Sequence, residues 1–396
     1  MKKSIAILMM LLAAFSVFTL ASCGGDDSSS STTTATSTTS TTTTASTTTA
    51  AAAPAAETSA PAQESSGPAT SGSALMVGMV TDSGTIDDRS FNQGTWEGLQ
   101  KAAQELGLQC TYLQPNGTTT GDYTTAIYDL YDQGYRLIAC PGYLFEDAVK
   151  EVQAECPDLK IILIDSTLGD QVGPNTVTIS YNEHESGFLA GVATAVELID
   201  GSVGFVGGIE IPAVQKFNWG FQQGVAFANE NYGTTIEMDS SNFVYSGSFA
   251  DLALGTQLAA GMYDKGVDAI FAAAGGTGVG VINEARTRRL SGENVWAIGV
   301  DVDQYTVGDM GNGESCILTS AMKYIDQTTY DLVYAAYNNE FPGGENQTLG
   351  AATASVGIPK TNPNLSEETM AVVAEVEQMV INGEITVQRT SDGLIP

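Results

Sequence analysis

Histidine is almost missing from this chain: His184 is the single one in 396 residues. A zinc site built from several imidazoles is therefore excluded, and any Ser-His-Asp arrangement would have to use His184 itself. It lies in YNEHESGFLAG, where a helix is expected to begin among carboxylates, and reads there as a solvated or capping residue. Basic residues are scarce too, 15 Lys and Arg against 46 Asp and Glu, for a formal charge of -31. Such a field repels nucleic-acid phosphates and anionic lipid head groups. No nucleic-acid partner is expected, and multiply anionic guests are disfavoured. The cysteines show no C-x-x-C and no metal-like spacing. AAGGTGVG is not followed by Lys-Ser or Lys-Thr, so it is no phosphate loop. Neither a cofactor nor a metal is expected. After the first 23 residues no apolar run is long enough to span a membrane.

What is present divides into three parts. MKKSIAILMMLLAAFSVFTLASC has a positive start, a short apolar run and small residues before a cysteine. Residues 1–22 read as an export signal. The ending Leu20-Ala21-Ser22-Cys23 resembles a bacterial lipobox, which implies cleavage before Cys23 and acylation of its sulfur. The chain is thus expected at the cell membrane, on its extracytoplasmic face, held by lipid alone. Residues 23–74 continue as Ser, Thr, Ala, Gly and Pro with almost no large apolar side chain. Such a segment cannot bury enough surface to offset chain entropy and reads as a disordered tether. In the remaining body Cys110, Cys140, Cys156 and Cys316 read as small buried hydrophobes, with no disulfide on which the fold depends.

From residue 75 onward short apolar runs alternate with helical patterns, as a βαβ chain does. Strands are expected at Leu75–Val80, Gln109–Leu113, Leu137–Cys140, Lys160–Ile164 and Thr176–Ser180, with helices between, beginning with Phe91–Leu106. The alternation restarts near residue 182 with strands at Ser202–Val206, Ile236–Val244, Ala269–Ala273 and Val295–Val300, then Cys316–Thr319. The expected fold is α/β with two lobes, each a parallel sheet covered by helices on both faces. The first lobe is expected from 75–181 plus about 302–335, the second from 182–301 plus about 336–396. Ligands of open parallel sheets sit beyond the carboxyl ends of the strands. Those ends read TDSG, PGYL, DSTLG, GGIE, AGGTG and DVDQ, which are polar, Gly-rich and acidic.

GMVTDSGTIDDRSFNQGTWEGLQKA (78–102), GFVGGIEIPAVQKFNWGFQQGV (204–225), VYSGSFADLALGTQLA, FAAAGGTGVGVINEA, AIGVDVDQ and TSAMKYID follow one another in this order. Together they resemble the basic membrane protein family, nucleoside-binding lipoproteins that serve ABC transporters. The resemblance implies a type I periplasmic binding fold, a purine nucleoside between the lobes, and a permease and ATPase as partners. It implies a ligand role for Asp82, a stacking role for Phe91 with Phe249 opposite, and ribose-holding roles for Asp301 and Lys323. Read on their own, Asp82 suits an N-cap or loop carboxylate as well. Phe91 and Phe249 suit ordinary core, and Asp301 with Lys323 suits an ion pair between lobes. Gly275 permits close backbone approach to a guest. Asn92 and Asp165 are further candidates, and Tyr143, Phe217 and Trp219 are expected near the cleft by position alone, where lining and packing read alike. Asp87, Asp88 and Ser90 suit the positive end of the helix that follows.

Other functions fit parts of this pattern. A binding protein for a sugar or a signalling molecule would use the same cleft, and a sugar would stack on Phe91 and Phe249 as a base would. A nucleoside hydrolase would gather strand-end aspartates around calcium, yet Asp82, Asp87, Asp88 and Asp301 fall on segments with different assigned roles. A sensory module could use the same lobes. The reading that unites the segments is a monomeric solute-binding lipoprotein, not an enzyme, that closes on a small neutral nucleoside.

Overall fold

The structure is a computed structural model that describes residues 75–311 and 313–396. The export signal expected over 1–22, the acylated Cys23 and the tether over 23–74 lie outside the described residues. The chain begins with β1 (Met76–Val80), α1 (Phe91–Leu106), β2 (Gln109–Leu113), α2 (Thr120–Asp132), β3 (Leu137–Pro141), α3 (Glu146–Glu155), β4 (Lys160–Ile164) and β5 (Thr176–Tyr181). It continues with α4 (Glu183–Leu198), β6 (Asp200–Gly207), α5 (Pro212–Asn231), β7 (Thr235–Tyr245), α6 (Leu252–Tyr263), β8 (Ala269–Ala273), α7 (Gly275–Leu290) and β9 (Trp296–Asp301). The last part holds β10 (Ile317–Lys323), α8 (Ile325–Tyr337), β11 (Glu345–Leu349), β12 (Val356–Gly357) and α9 (Glu367–Ile381). Strands such as LIACP and AIFAA are buried at every position, because helices cover both faces of a parallel sheet. The two-lobe α/β expectation is borne out.

Two six-stranded sheets result, with orders β11-β5-β4-β3-β1-β2 and β12-β10-β9-β8-β6-β7. Strand for strand the second repeats the first, so β4 matches β9 and β5 matches β10. Only the last strands differ: β11 runs parallel to β5, whereas β12 runs antiparallel to β10. The chain passes between the sheets after β5, after β10 and between β11 and β12.

This path corrects the expected allotment of the last third. Residues 317–323 were expected in the first lobe, but β10 pairs with β9 in the second sheet. Residues 345–349 were expected in the second lobe, but β11 pairs with β5 in the first. A fully buried parallel strand carries the same apolar signature in either sheet, so its pattern does not reveal its neighbour. The other elements keep their expected sides: α8 packs on α1 in the first lobe, while β12 pairs with β10 and α9 packs on α4 in the second.

Glycine sets how closely the helices of the second lobe approach. A Cβ on Gly224 would lie 2.1 Å from the Phe188 carbonyl oxygen, and one on Gly191 2.3 Å from that of Phe221. Gly187 and Gly220 face the Phe217 and His184 carbonyls in the same way. The α4–α5 crossing is therefore backbone on backbone, and it fixes Phe217, whose ring faces the cleft described below.

His184, expected to be solvated or capping, is instead buried. The Arg389 Nε donates to its Nε2 at 3.2 Å, and Arg389 Nη2 donates to Asn182 Oδ1 at 3.1 Å. The C-terminal segment thus closes over the crossing from β5 to α4. An acceptor role for Nε2 leaves the proton on Nδ1. Burial, with the charges of Arg389 and Lys216, pushes the imidazole down to about 3. The sign follows directly. The unfolded chain takes a proton near the ordinary value of 6.5 and the folded one does not, so stability is lost as pH falls from there towards about 3. By about pH 4.5 this group should cost roughly 2–3 kcal/mol. Urea melts of His184→Gln, which keeps an acceptor for Arg389, should lack that component; an unchanged acid profile would refute the assignment. The four cysteines of the described residues are free thiols.

Candidate functional site

The ends of strands from both sheets face one cleft of about 640 Å³, counting its open mouth. Asp82, Phe91, Asn92, Asp165, Phe249, Gly275, Asp301 and Lys323 all line it. Tyr143 and Phe217 line it as well, but Trp219 does not. Asp87 is exposed and takes no part.

Asp82 follows β1 and keeps some accessible surface where it lines the cleft. Its Oδ1 accepts from the Gly84 N–H at 2.8 Å and from Asn92 Nδ2 at 2.8 Å. Asn92 Nδ2 also donates to Asp88 Oδ2 at 2.9 Å, and Asn92 Oδ1 accepts from the Asp82 N–H at 3.2 Å. Asp88 in turn accepts from the backbone N–H groups of Ser90, Asn92 and Gln93 at the start of α1. Its capping reading therefore holds, and it is also part of the cleft wall. Asp82 has no ion pair among the described residues. Burial pushes it up to about 6 against the hydrogen bonds from Asn92 and Gly84 that pull it down, and Asp88 and Asp165 add to the rise.

Lys323 stands at the centre. It ends β10, is 2% exposed, and pairs directly with Asp165 across the cleft. Its Nζ lies 3.3 Å from Asp301 Oδ1, while Ser90 Oγ donates to Asp301 Oδ2 at 2.6 Å. Burial alone would discharge an ammonium, but Asp165, Asp301 and Glu183 outweigh it and hold Lys323 above its ordinary value. Burial likewise raises Asp165, against the pull of Lys323. Asp165 Oδ1 is buried and has no hydrogen-bond partner among the described residues. Asp165 and Asp301 follow or end equivalent strands, β4 and β9, and both adopt left-handed backbone, with φ of 56° and 65°. That conformation is uncommon for a residue with a Cβ and stores backbone strain at both positions. Glu183, beside Lys216 at 3.0 Å, is pushed up to about 7 by burial and then by Asp165.

The apolar wall is built from rings and small residues. The Lys323 ammonium lies 4.8 Å from the Phe91 ring centre and 5.4 Å from that of Phe217. Phe249 lies against bare backbone: a Cβ on Gly208 would sit 2.2 Å from its Cε1, and one on Gly275 would be 3.2 Å from its carbonyl oxygen. Thr277 Oγ1 at the start of α7 donates to the Ser248 carbonyl and accepts from the Asp251 N–H, which secures the Phe249 loop.

Several lining residues escaped the sequence reading. Gly142, with φ of 113°, places its Cα where a Cβ would be 3.2 Å from Asp82 Oδ2. Its loop, PGYL, was flagged only as a strand end. Ile211, Ala213 and Val214 open α5 and complete the apolar wall, a role no pattern separates from packing. The carboxylates come closer together than their separate segments suggested. Even so, among the described residues no group of His, Cys, Asp or Glu could hold a metal ion, and no helix is long and apolar enough to cross a membrane.

Comparison with known proteins agrees with this architecture. Residues 75–391 match the Bmp family model, described as ABC transporter substrate-binding protein PnrA-like. A Listeria monocytogenes protein named CD4+ T-cell-stimulating antigen is 35% identical over 322 residues, covering 78% of this chain and 87% of its own. The ABC transporter nucleoside-binding protein BmpA of Lactococcus lactis subsp. cremoris is 32% identical over 324 residues, covering 79% and 89%. A solved ABC transporter solute-binding protein from Aeropyrum pernix K1, 24% identical, shares the fold with a TM-score of 0.69 over 80% of this chain and 95% of that one. The resemblance read from the ordered segments is borne out: this chain belongs to the Bmp family of PnrA-like ABC transporter substrate-binding proteins.

Proposed function

We propose that the cleft takes a neutral nucleoside, purine above all, and that the protein delivers it to an ABC permease from a lipid anchor at Cys23 on the extracytoplasmic face. One observation carries the reading: Phe91 and Phe249 line the same cleft as the Asp165–Lys323–Asp301 group. Rings offer faces to a flat base, each stacking contact contributing about 1–3 kcal/mol. Carboxylates accept from the vicinal hydroxyls of a ribose while the ammonium donates to their oxygens. The acidic lining, with Asp82, Asp88, Asp165 and Asp301 around one lysine, disfavours a phosphate group. The name of the Lactococcus lactis relative points to the same ligand class.

Calorimetry with inosine, guanosine, adenosine, their 5′-monophosphates, ribose and glucose tests this. Nucleosides should bind at about micromolar Kd or tighter, roughly 8 kcal/mol, and the monophosphates at least tenfold more weakly. Heat from a sugar alone would overturn the ligand class. Native mass spectrometry of protein extracted from membranes should show both an acylated Cys23 and a retained nucleoside mass. An unmodified Cys23 would sink the anchor.

A further inference from the structure

The end of the chain is fastened to α5 by two side-chain amides. After α9, residues 382–396 run without helix or strand. Gln223 Oε1 accepts from the Gln388 N–H at 2.8 Å, while its Nε2 donates to the Gln388 carbonyl at 3.1 Å. Gln222 does the same to Ile395, at 2.8 Å in both directions. Each amide thus satisfies both backbone groups of one residue, as a neighbouring strand would. Val387 is buried in the core of the second lobe, and Ile385 and Ile395 pack against that core. None of these residues lines the cleft.

Arg389 follows the first clasp, so its backbone is held while its side chain reaches out. Its Nε donates to His184 and its Nη2 to Asn182 Oδ1. Asn182 is the one residue between β5 of the first sheet and α4 of the second lobe. Its N–H donates to the Leu349 carbonyl at the end of β11, and its Nδ2 donates to Glu185 Oε1, both at 2.8 Å. Glu185 Oε2 accepts from the Ala351 N–H at 2.7 Å, where the chain crosses again between β11 and β12. One guanidinium of the second lobe therefore grips a residue that is bonded to the first sheet and, through Glu185, to another crossing. Closure of a two-lobe binding protein turns on the few residues that cross between lobes. Here the lobes meet across the cleft: Ser90 Oγ donates to Asp301 Oδ2 at 2.6 Å, and Gln304 Nε2 donates to the Arg89 carbonyl at 2.8 Å. The bond from Arg389 to Asn182 thus belongs to the closed arrangement.

We infer that residues 384–396 form a hinge strap: through Arg389 and Asn182 they favour the closed arrangement of the lobes, and so set how long a guest is held without touching it. This rests on the reading of the cleft as the binding site. The apparent affinity of a guest scales with the fraction of protein in the competent arrangement. A bond made only when the lobes are together raises that fraction, and it acts on release of the guest more than on its entry.

The test is Arg389→Ala, with inosine as the probe. Calorimetry should show binding about fivefold weaker than in the native protein, and stopped-flow kinetics should place the loss in dissociation, with association changed by less than about twofold. Asn182→Ala keeps its backbone bond to Leu349 and should show the same loss. The double variant should lie within about twofold of either single one, because both remove one bond. Losses that multiply to about 25-fold would mean that the two residues act separately, and would overturn the inference. Hydrogen exchange of the ligand-free protein supplies a readout far from the strap in sequence. Residues 89–92 and 301–304, which meet across the cleft, should exchange faster in Arg389→Ala than in the native protein. A lower melting temperature with unchanged dissociation and unchanged exchange at these segments would make Arg389 only a fastening of the tail and overturn the inference. Should Arg389→Ala fail to fold, Arg389→Gln, which keeps a donor for His184 but loses the fork, is read by the same criteria. If inosine does not bind the native protein, the nucleoside reading has failed, and exchange in the ligand-free protein still decides the strap.

Discussion

Lys323→Met is expected to cost about 3–5 kcal/mol of stability at pH 7.5 and to weaken nucleoside binding by about 100-fold. The lysine is buried with Asp165 and Asp301, and the methionine retains much of its stem volume but none of its charge. Two carboxylates from opposite sheets would then face each other with only Ser90 Oγ still donating to one of them. Removing one partner of a buried pair is costly because the other is left uncompensated. The loss should be pH-dependent in a definite direction. Lys323 pulls Asp165 down against its burial, so without it the folded pKa climbs further above the ordinary 3.8. A folded state that holds a proton the unfolded chain has released loses stability as pH rises. The deficit should therefore be greatest near pH 8 and should shrink towards pH 5. Urea unfolding at both pH values measures it. Lys323→Met combined with Asp165→Asn should recover part of the loss, a coupling that a double-mutant cycle resolves. A deficit under about 1 kcal/mol at pH 7.5 would mean that water reaches this group and that its charges do not depend on one another.

The same cluster shows what the chain makes readable. Asp165 and Asp301 are visible as strand-end carboxylates, because the apolar runs before them are long and the strand-end rule for parallel sheets is strong. Lys323 is legible through the family resemblance and as a partner for Asp301 between the lobes, but nothing local says that a lysine ending an apolar run will be buried. Helix Phe91–Leu106 matches its expected bounds, as its apolar spacing is regular. β11 was not foreseen. Its sequence, ENQTL, is polar because it is an edge strand, held by pairing to β5 and by Asn346 Oδ1, which accepts from Thr167, Thr178 and the Leu168 N–H. His184 was misread as solvated because its partner, Arg389, lies far along the chain. Asn92 was expected beside the cleft and lines it, but its hydrogen bonds to Asp82 and Asp88 depend on side-chain direction, which residue type does not encode. Contacts that depend on distant chain or on orientation are thus the ones that pattern leaves dark.

Glycine offers the second large effect, and a sharper one, because the same substitution should act in opposite senses at two helical sites. Glycine within a helix is worse than alanine by about 1 kcal/mol, so Gly→Ala normally stabilises. Gly261 in α6 has nothing within 4 Å of where its Cβ would lie, and Gly261→Ala should gain about 0.5–1 kcal/mol. Gly224 in α5 has the Phe188 carbonyl oxygen 2.1 Å from that point and the Val192 nitrogen 2.9 Å away. No rotamer relieves a clash between a Cβ and backbone, so α4 and α5 must separate. The core they share with Phe188, Phe217, Phe221 and Val225 would then loosen. Gly224→Ala should cost about 3 kcal/mol or more despite its better helix propensity. The damage should reach the cleft as well, because Phe217 rides on this crossing and faces Lys323. Thermal melts of the two variants read the sign directly, and inosine calorimetry on Gly224→Ala reads the transmitted loss. Equal, small stabilisation at both sites would mean that the two helices are not in backbone contact, and that the position of Phe217 is set by something other than their crossing.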